Sequence, residues 1–222
     1  ANGRVLVAAG GDLLFGDIVS RDQDVSLEAA GNVTGNSIQA AATILVNAVA
    51  GDVDLSLVNG GGAFESGYGA GGAVGIAAGG SVDIDSIASL GELGVRADTG
   101  DVRIGNASAA TTGLLLSGGD VDAGSITTGG LLYVGGPDTR NDGELGGLRG
   151  LVGTDLSDLG NGAPVATGGE VRIGSADAGR IVIGAGGGID ATRLATGSSI
   201  TLAANGGDIV LDTATAGDTV NV

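Results

Sequence analysis

The side chains able to do chemistry in this chain are almost all carboxylates. Twenty-six Asp and Glu stand against nine Arg, giving a net charge of −17, and Lys, His and Cys do not occur. That inventory excludes Ser-His-Asp and Cys nucleophile arrangements, zinc held by thiolate or imidazole, and haem on histidine. It also excludes Schiff-base chemistry and the lysine-bearing phosphate loop. A charge of −17 repels the phosphate backbone, so a nucleic-acid partner is not expected. What remains is carboxylate chemistry. Asp83 with Asp85, and Asp120 with Asp122, are spaced two apart and lie on one face of an extended chain. Glycoside hydrolysis needs two carboxylates across a cleft, about 5–10 Å apart, rather than side by side on a strand. Asp138–Glu144 resembles the start of a calcium loop, but Arg140 and Arg149 stand at the third and twelfth positions. Gly79-Gly80-Ser81-Val82-Asp83 lacks the glycine spacing of the calcium-binding nonapeptide. The expectation is no cofactor, with calcium the one ion left open.

These residues sit in a repeat. A glycine, one variable and often acidic residue, then an aliphatic recurs at Gly11, Gly31, Gly51, Gly80, Gly100, Gly119, Gly169, Gly187 and Gly207. The aliphatic members fall at 13, 33, 53, 82, 102, 121, 171, 189 and 209, separated by 20, 20, 29, 20, 19, 50, 18 and 20 residues. Five residues beyond each lies a second apolar position: Ile18, Ile38, Val58, Ile87, Ala107, Ile126, Ala176, Leu194 and Ala214. A third set precedes most markers in alternating runs such as Val5-Leu6-Val7 and Val25-Ser26-Leu27. Period-two runs of branched residues bounded by Gly, Asn and Asp are strands and turns, and no helical stripe interrupts them.

A coil of about twenty residues cannot bury its own apolar face, but stacked coils build a continuous interior. The sequence therefore predicts an all-β fold: a single right-handed parallel β-helix over residues 1–222, of about ten coils with three strands each. With 2% aromatics, its interior is built from Val, Ile, Leu and Ala. The marker glycines are expected to be structural turns that take up positive φ. Stacking at about 4.8 Å brings the acidic corner residues Asp12, Asp52, Asp101, Asp120, Glu170 and Asp208 into one ladder. Two bare charges at that spacing repel by about 1 kcal/mol in water, so salt, and calcium more efficiently, is expected to stabilise the stack.

Two stretches break the repeat. Residues 59–73 form a glycine-rich insertion holding Phe64, Glu65 and Tyr68, and residues 135–168 form a larger one within a single coil. The larger carries both prolines, Pro137 and Pro164, and leucines at 145, 148, 151, 156 and 159. Insertions in solenoids become loops, and loops carry contacts more often than framework does. Phe64, Glu65 and Tyr68 are accordingly the candidate partner contacts.

Ala1–Gly10, Val25–Val33 and Ile200–Ile209 resemble repeats of filamentous haemagglutinin-type exoproteins, large bacterial fibres exported by two-partner secretion. The likeness extends over the chain outside the two insertions, and the family's amino-terminal secretion module with its Asn-Pro motifs is not seen. It implies an extracellular or cell-surface shaft segment of an adhesin or fibre, contributing to adhesion or biofilm. Its partners would be a host or neighbouring-cell surface or a glycan. No apolar run is long enough for membrane insertion. The chain starts without Met and reads as a mature segment or fragment. Its ends bear uncapped first-strand runs, so either further repeats continue the rod or copies stack head to tail. The enzyme alternative is a β-helix polysaccharide lyase or hydrolase. It is disfavoured because Lys, His and Trp, the usual furniture of such clefts, are absent, and no catalytic residue is assigned.

Overall fold

The computed structural model describes residues 3–61, 72–137 and 164–222. Among them there are nineteen strands and no helix. Ten short strands form one parallel sheet: β1 (Val5–Ala9), β3 (Val25–Ala29), β5 (Ile44–Ala48), β7 (Val74–Ala78), β9 (Leu93–Ala97), β11 (Gly113–Ser117), β13 (Leu131–Gly135), β15 (Arg180–Ala185), β17 (Ile200–Ala204) and β19 (Val220–Asn221). Nine strands of eight residues form the other: β2 (Leu13–Ser20), β4 (Val33–Ala40), β6 (Val53–Gly60), β8 (Val82–Ser89), β10 (Val102–Ala109), β12 (Val121–Thr128), β14 (Val171–Ala178), β16 (Ile189–Thr196) and β18 (Ile209–Ala216). The chain alternates between the sheets and adds one strand to each per turn, which is a right-handed parallel β-solenoid of about nine coils.

The register stacks like on like. Val33, Val53, Val82, Val102, Val121 and Val171 lie directly opposite one another on successive coils, continued by Ile189 and Ile209. The row from Ile18 through Ile38, Val58, Ile87, Ala107, Ile126, Ala176 and Leu194 is likewise in register. Both rows are buried in the central coils and form one continuous core with the inward residues of the short strands. A parallel sheet that buries one whole face needs such branched aliphatic rows.

The number of sheets differs from the expected three. The marker aliphatic and the apolar position five residues beyond it belong to one strand, as Leu13 and Ile18 do in β2. In β8 and β12 the first, third, sixth and eighth residues point inward, while the fourth and fifth both face outward. The pairing passes over the fourth residue, as where Ile104 opposite Ala123 is followed by Asn106 opposite Ser125. The strand bends there without breaking the inter-coil ladder. Gly105-Asn106 and Gly124-Ser125 look like turns in the sequence, yet they mark a bend inside a strand.

Candidate functional site

All nine marker glycines lie in the bends that lead into the long strands. The reason for glycine there is not positive φ. Among the described residues, Gly61 is the one with positive φ, at +80°. At every marker glycine but Gly11, around which nothing lies within 4 Å of a Cβ, the reason is close approach between coils. A Cβ on Gly31, Gly80 or Gly169 would come within 3.0 Å of Oδ1 of Asp12, Asp52 or Asp120 on the preceding coil. At Gly51 the obstructing atom is Asn32 Oδ1, and at Gly119 it is Asp101 Oδ1. Each carboxylate or amide oxygen occupies the space left by the next coil's glycine.

That oxygen has a partner. Asp12 Oδ1 accepts the Asn32 N–H at 2.8 Å, Asn32 Oδ1 accepts the Asp52 N–H at 2.9 Å, and Asp52 Oδ1 accepts the Ser81 N–H at 2.7 Å. Ser81 Oγ accepts from Asp101 at 3.2 Å, Asp101 Oδ1 from Asp120 at 2.9 Å, and Asp120 Oδ1 from Glu170 at 2.8 Å. The Gly-Asp marker is thus one device: the acidic residue ties its coil to the next, and glycine makes room for the tie. It also changes the electrostatic expectation. The consecutive pair Asp101 and Asp120 is not bare, because Arg103 Nη2 lies 2.5 Å from Asp101 Oδ2 and Arg172 Nη1 lies 3.9 Å from Asp120 Oδ2. Arg172 also pairs with Glu170.

One carboxylate stands apart. Asp17, on the outward bend of β2, accepts hydrogen bonds from Ser37 Oγ at 2.6 Å and Asn36 Nδ2 at 2.8 Å. These donors, Ser37 first, hold its carboxyl below the ordinary value. The donors lie on the adjacent coil, so this is another inter-coil tie. Asp83 and Asp122 lie in one outward row of the long-strand sheet, with Arg103 between them in register. Asp85 lies on the outward bend of β8. Among the described residues no group of three or more acidic side chains comes together as a metal site. The calcium-like stretch at 138–144 and the candidate contacts Phe64, Glu65 and Tyr68 lie outside the described residues.

The points where the two insertions leave and rejoin the solenoid are described. The first leaves after β6 at Gly61 and rejoins at Gly72, where the Gly61 N–H donates to Ala40 O and the Gly91 N–H to Gly72 O. The second leaves at Pro137 and rejoins at Pro164. Its return is anchored: the Val165 N–H donates to Tyr133 Oη at 2.9 Å, the Gly136 N–H to Val165 O at 3.0 Å and the Thr167 N–H to Gly184 O at 3.0 Å. Gly184 leaves space for this segment, since a Cβ there would lie 2.8 Å from Val165 O and 2.9 Å from Pro164 Cβ.

Sequence reasoning missed a second apolar cluster, on the outside of the short-strand sheet. Leu114, Leu116, Tyr133 and Val182 pack together there, with Ala77 and Leu131 beside them. The sequence signal was ambiguous. Leu114-Leu115-Leu116, Leu132-Tyr133-Val134 and Ile181-Val182-Ile183 are apolar at all three positions, but so are Val5-Leu6-Val7 and Ile44-Leu45-Val46, where Leu6 is exposed, so the runs alone do not mark the cluster. The chain matches no protein-family model, no curated protein and no solved structure.

Proposed function

We propose that this chain is a structural shaft segment of a large extracellular bacterial fibre or adhesin, acting without catalytic turnover. The observation that carries the reading is one cross-section repeated in register through about nine coils. The charged residues at its corners are used to tie coils together. A stack of this kind transmits position and load along an axis and offers its insertions for local contact. The partner on this reading is a glycan or a host or neighbouring-cell surface, met through Phe64, Glu65 and Tyr68.

The test is to present the purified chain to acidic polysaccharides and to cell surfaces, with and without residues 62–71. Retention without soluble products, reduced by removing the insertion, supports a shaft with a contact loop. Self-assembly into filaments without retention supports head-to-tail stacking of copies instead. Release of cleaved saccharide, abolished by substituting facing carboxylates, overturns both in favour of an enzyme.

A further inference from the structure

An asparagine followed by glycine carries the means of its own modification, because the glycine nitrogen can attack the asparagine side-chain carbonyl. The reaction needs a glycine N–H free to lose its proton and a backbone free to turn the side chain towards it. Among the described residues two Asn-Gly pairs occur, Asn59-Gly60 and Asn205-Gly206, and they stand in opposite settings. Asn59-Gly60 closes β6. There Asn59 lies between Gln39 and Ala88, and the buried Gly60 between Ala40 and Ser89, in the parallel ladder. Asn205-Gly206 lies in the corner between β17 and β18, and both residues are exposed. Exposure there is a property of the corner: Asp98, which follows β9 as Asn205 follows β17, is exposed on a central coil.

This corner is also held less than its counterparts. From Asn32 to Glu170 the residue after each marker glycine gives its N–H to a side-chain oxygen of the preceding coil. At Asp208 the preceding member is Gly188, which has no side chain to accept. The Gly100 N–H donates to Gly80 O and the Gly119 N–H to Gly100 O, whereas the N–H groups of Gly206, Gly207 and Asp208 have no hydrogen-bond partner among the described residues. The Asn205 N–H donates to Ala185 O at 3.0 Å and the Ile189 N–H to Asp208 O at 3.0 Å. The corner is thus fixed at its two ends and untied between them.

We propose that Asn205-Gly206 is a self-modifying site, at which Asn205 becomes aspartate and isoaspartate with water as the co-reactant. A C–N bond forms between Gly206 N and Asn205 Cγ, and the side-chain nitrogen departs as ammonia, taking up the proton that Gly206 loses. Water then opens either carbonyl of the cyclic imide, giving the two products. Both add a carboxylate to the corner. Isoaspartate also places an extra methylene in the backbone between the ties to Ala185 and Ile189, so the modification changes how this corner is held to the preceding coil. Asn59 has the same chemistry but not the same freedom. The end of β6 must first leave its ladder, so the rate there is scaled down by the population of that opening.

The test is to incubate the whole unaltered chain at mildly alkaline pH, folded and in concentrated urea, and to follow Asn, Asp and isoaspartate at each site by peptide mapping. In the folded chain Asn205 should convert at least about tenfold faster than Asn59, and urea should close that gap to within about threefold by accelerating Asn59. Asn205 itself should change by less than about threefold between the two conditions, since its corner needs no opening. Its product should include isoaspartate. The proposal is overturned if the folded gap is smaller than tenfold, or if urea accelerates Asn205 more than threefold, which would show that the fold protects it. It is also overturned if the gap survives in urea, which would make it a property of the flanking residues, or if Asn205 yields aspartate without isoaspartate, the mark of direct hydrolysis.

Discussion

Replacing Gly80 by Ala tests whether the Gly-Asp marker is a coupled inter-coil device. A Cβ there would sit within 3.0 Å of Asp52 Oδ1, while the nearest backbone atom, Gly51 O, would be 3.3 Å away. The chief obstruction is therefore a side chain, and Asp52 must swing away, breaking its 2.7 Å bond to the Ser81 N–H. A hydrogen bond to a charged acceptor contributes about 1.5–3 kcal/mol, and exposure to water puts this one near 1.5 kcal/mol. Ala in place of Gly returns about 0.5 kcal/mol by narrowing the unfolded ensemble. Gly80→Ala should then cost about 1 kcal/mol and Asp52→Ala about 1.5 kcal/mol. In the double variant the obstruction and the bond are already gone, so the cost is about 1 kcal/mol, where simple addition gives about 2.5 kcal/mol. In a chain of 222 residues 1 kcal/mol moves the thermal midpoint by about 2–4 °C. The assay is thermal or urea unfolding of the four proteins of the cycle. If the double variant loses the sum of the single losses to within about 0.5 kcal/mol, the two residues are independent and the reasoning fails.

Three further outcomes follow from the same stack. Val102→Asp sets a carboxylate between Val82 and Val121 in the buried row and should cost at least about 4 kcal/mol, read as loss of cooperative unfolding or of soluble expression. Asp17 has its carboxyl lowered by Ser37 and Asn36, so its stabilisation is fully present above the ordinary value of 3.8 and is lost as pH falls through the lowered folded value. The midpoint difference between the unaltered chain and Asp17→Asn should accordingly be constant above about pH 5 and close at more acid pH; a difference that persists unchanged below the lowered value would contradict the ties to Ser37 and Asn36. Because the corner carboxylates accept backbone N–H groups and Arg103 and Arg172 flank the consecutive pair, calcium should raise the midpoint no more than sodium chloride at equal ionic strength. A larger rise in calcium would reveal a bound ion.

The stack was legible because the interior rows recur at a fixed offset. Val33 to Val171 and Ile18 to Leu194 could be placed from spacing alone, since a parallel solenoid puts equivalent residues opposite one another. What the residues could not convey was distance between coils. Gly80 reads as a turn former in one dimension; its contact with Asp52 of the preceding coil exists only once the chain between them has closed a turn. The third strand per coil was an over-reading of the Gly, Asn and Asp residues between apolar positions, which inside the long strands serve a bend that keeps its ladder, as at Gly105. The outer apolar cluster was not separable in the sequence, because the all-apolar runs that hold Leu114, Tyr133 and Val182 have the same pattern as Val5-Leu6-Val7, where Leu6 is exposed. Taken as strand signals alone, those runs did not disclose that their middle residues face outward under cover.

The central claim is that the molecule is a rod extended by coils of fixed rise. Duplicating residues 82–101, one full repeat, once, twice and four times gives a series for small-angle scattering. The account predicts a maximum dimension that grows by about 4.8 Å per added repeat, with a constant cross-sectional radius. Growth of the cross-section with repeat number, or no systematic lengthening, would contradict it.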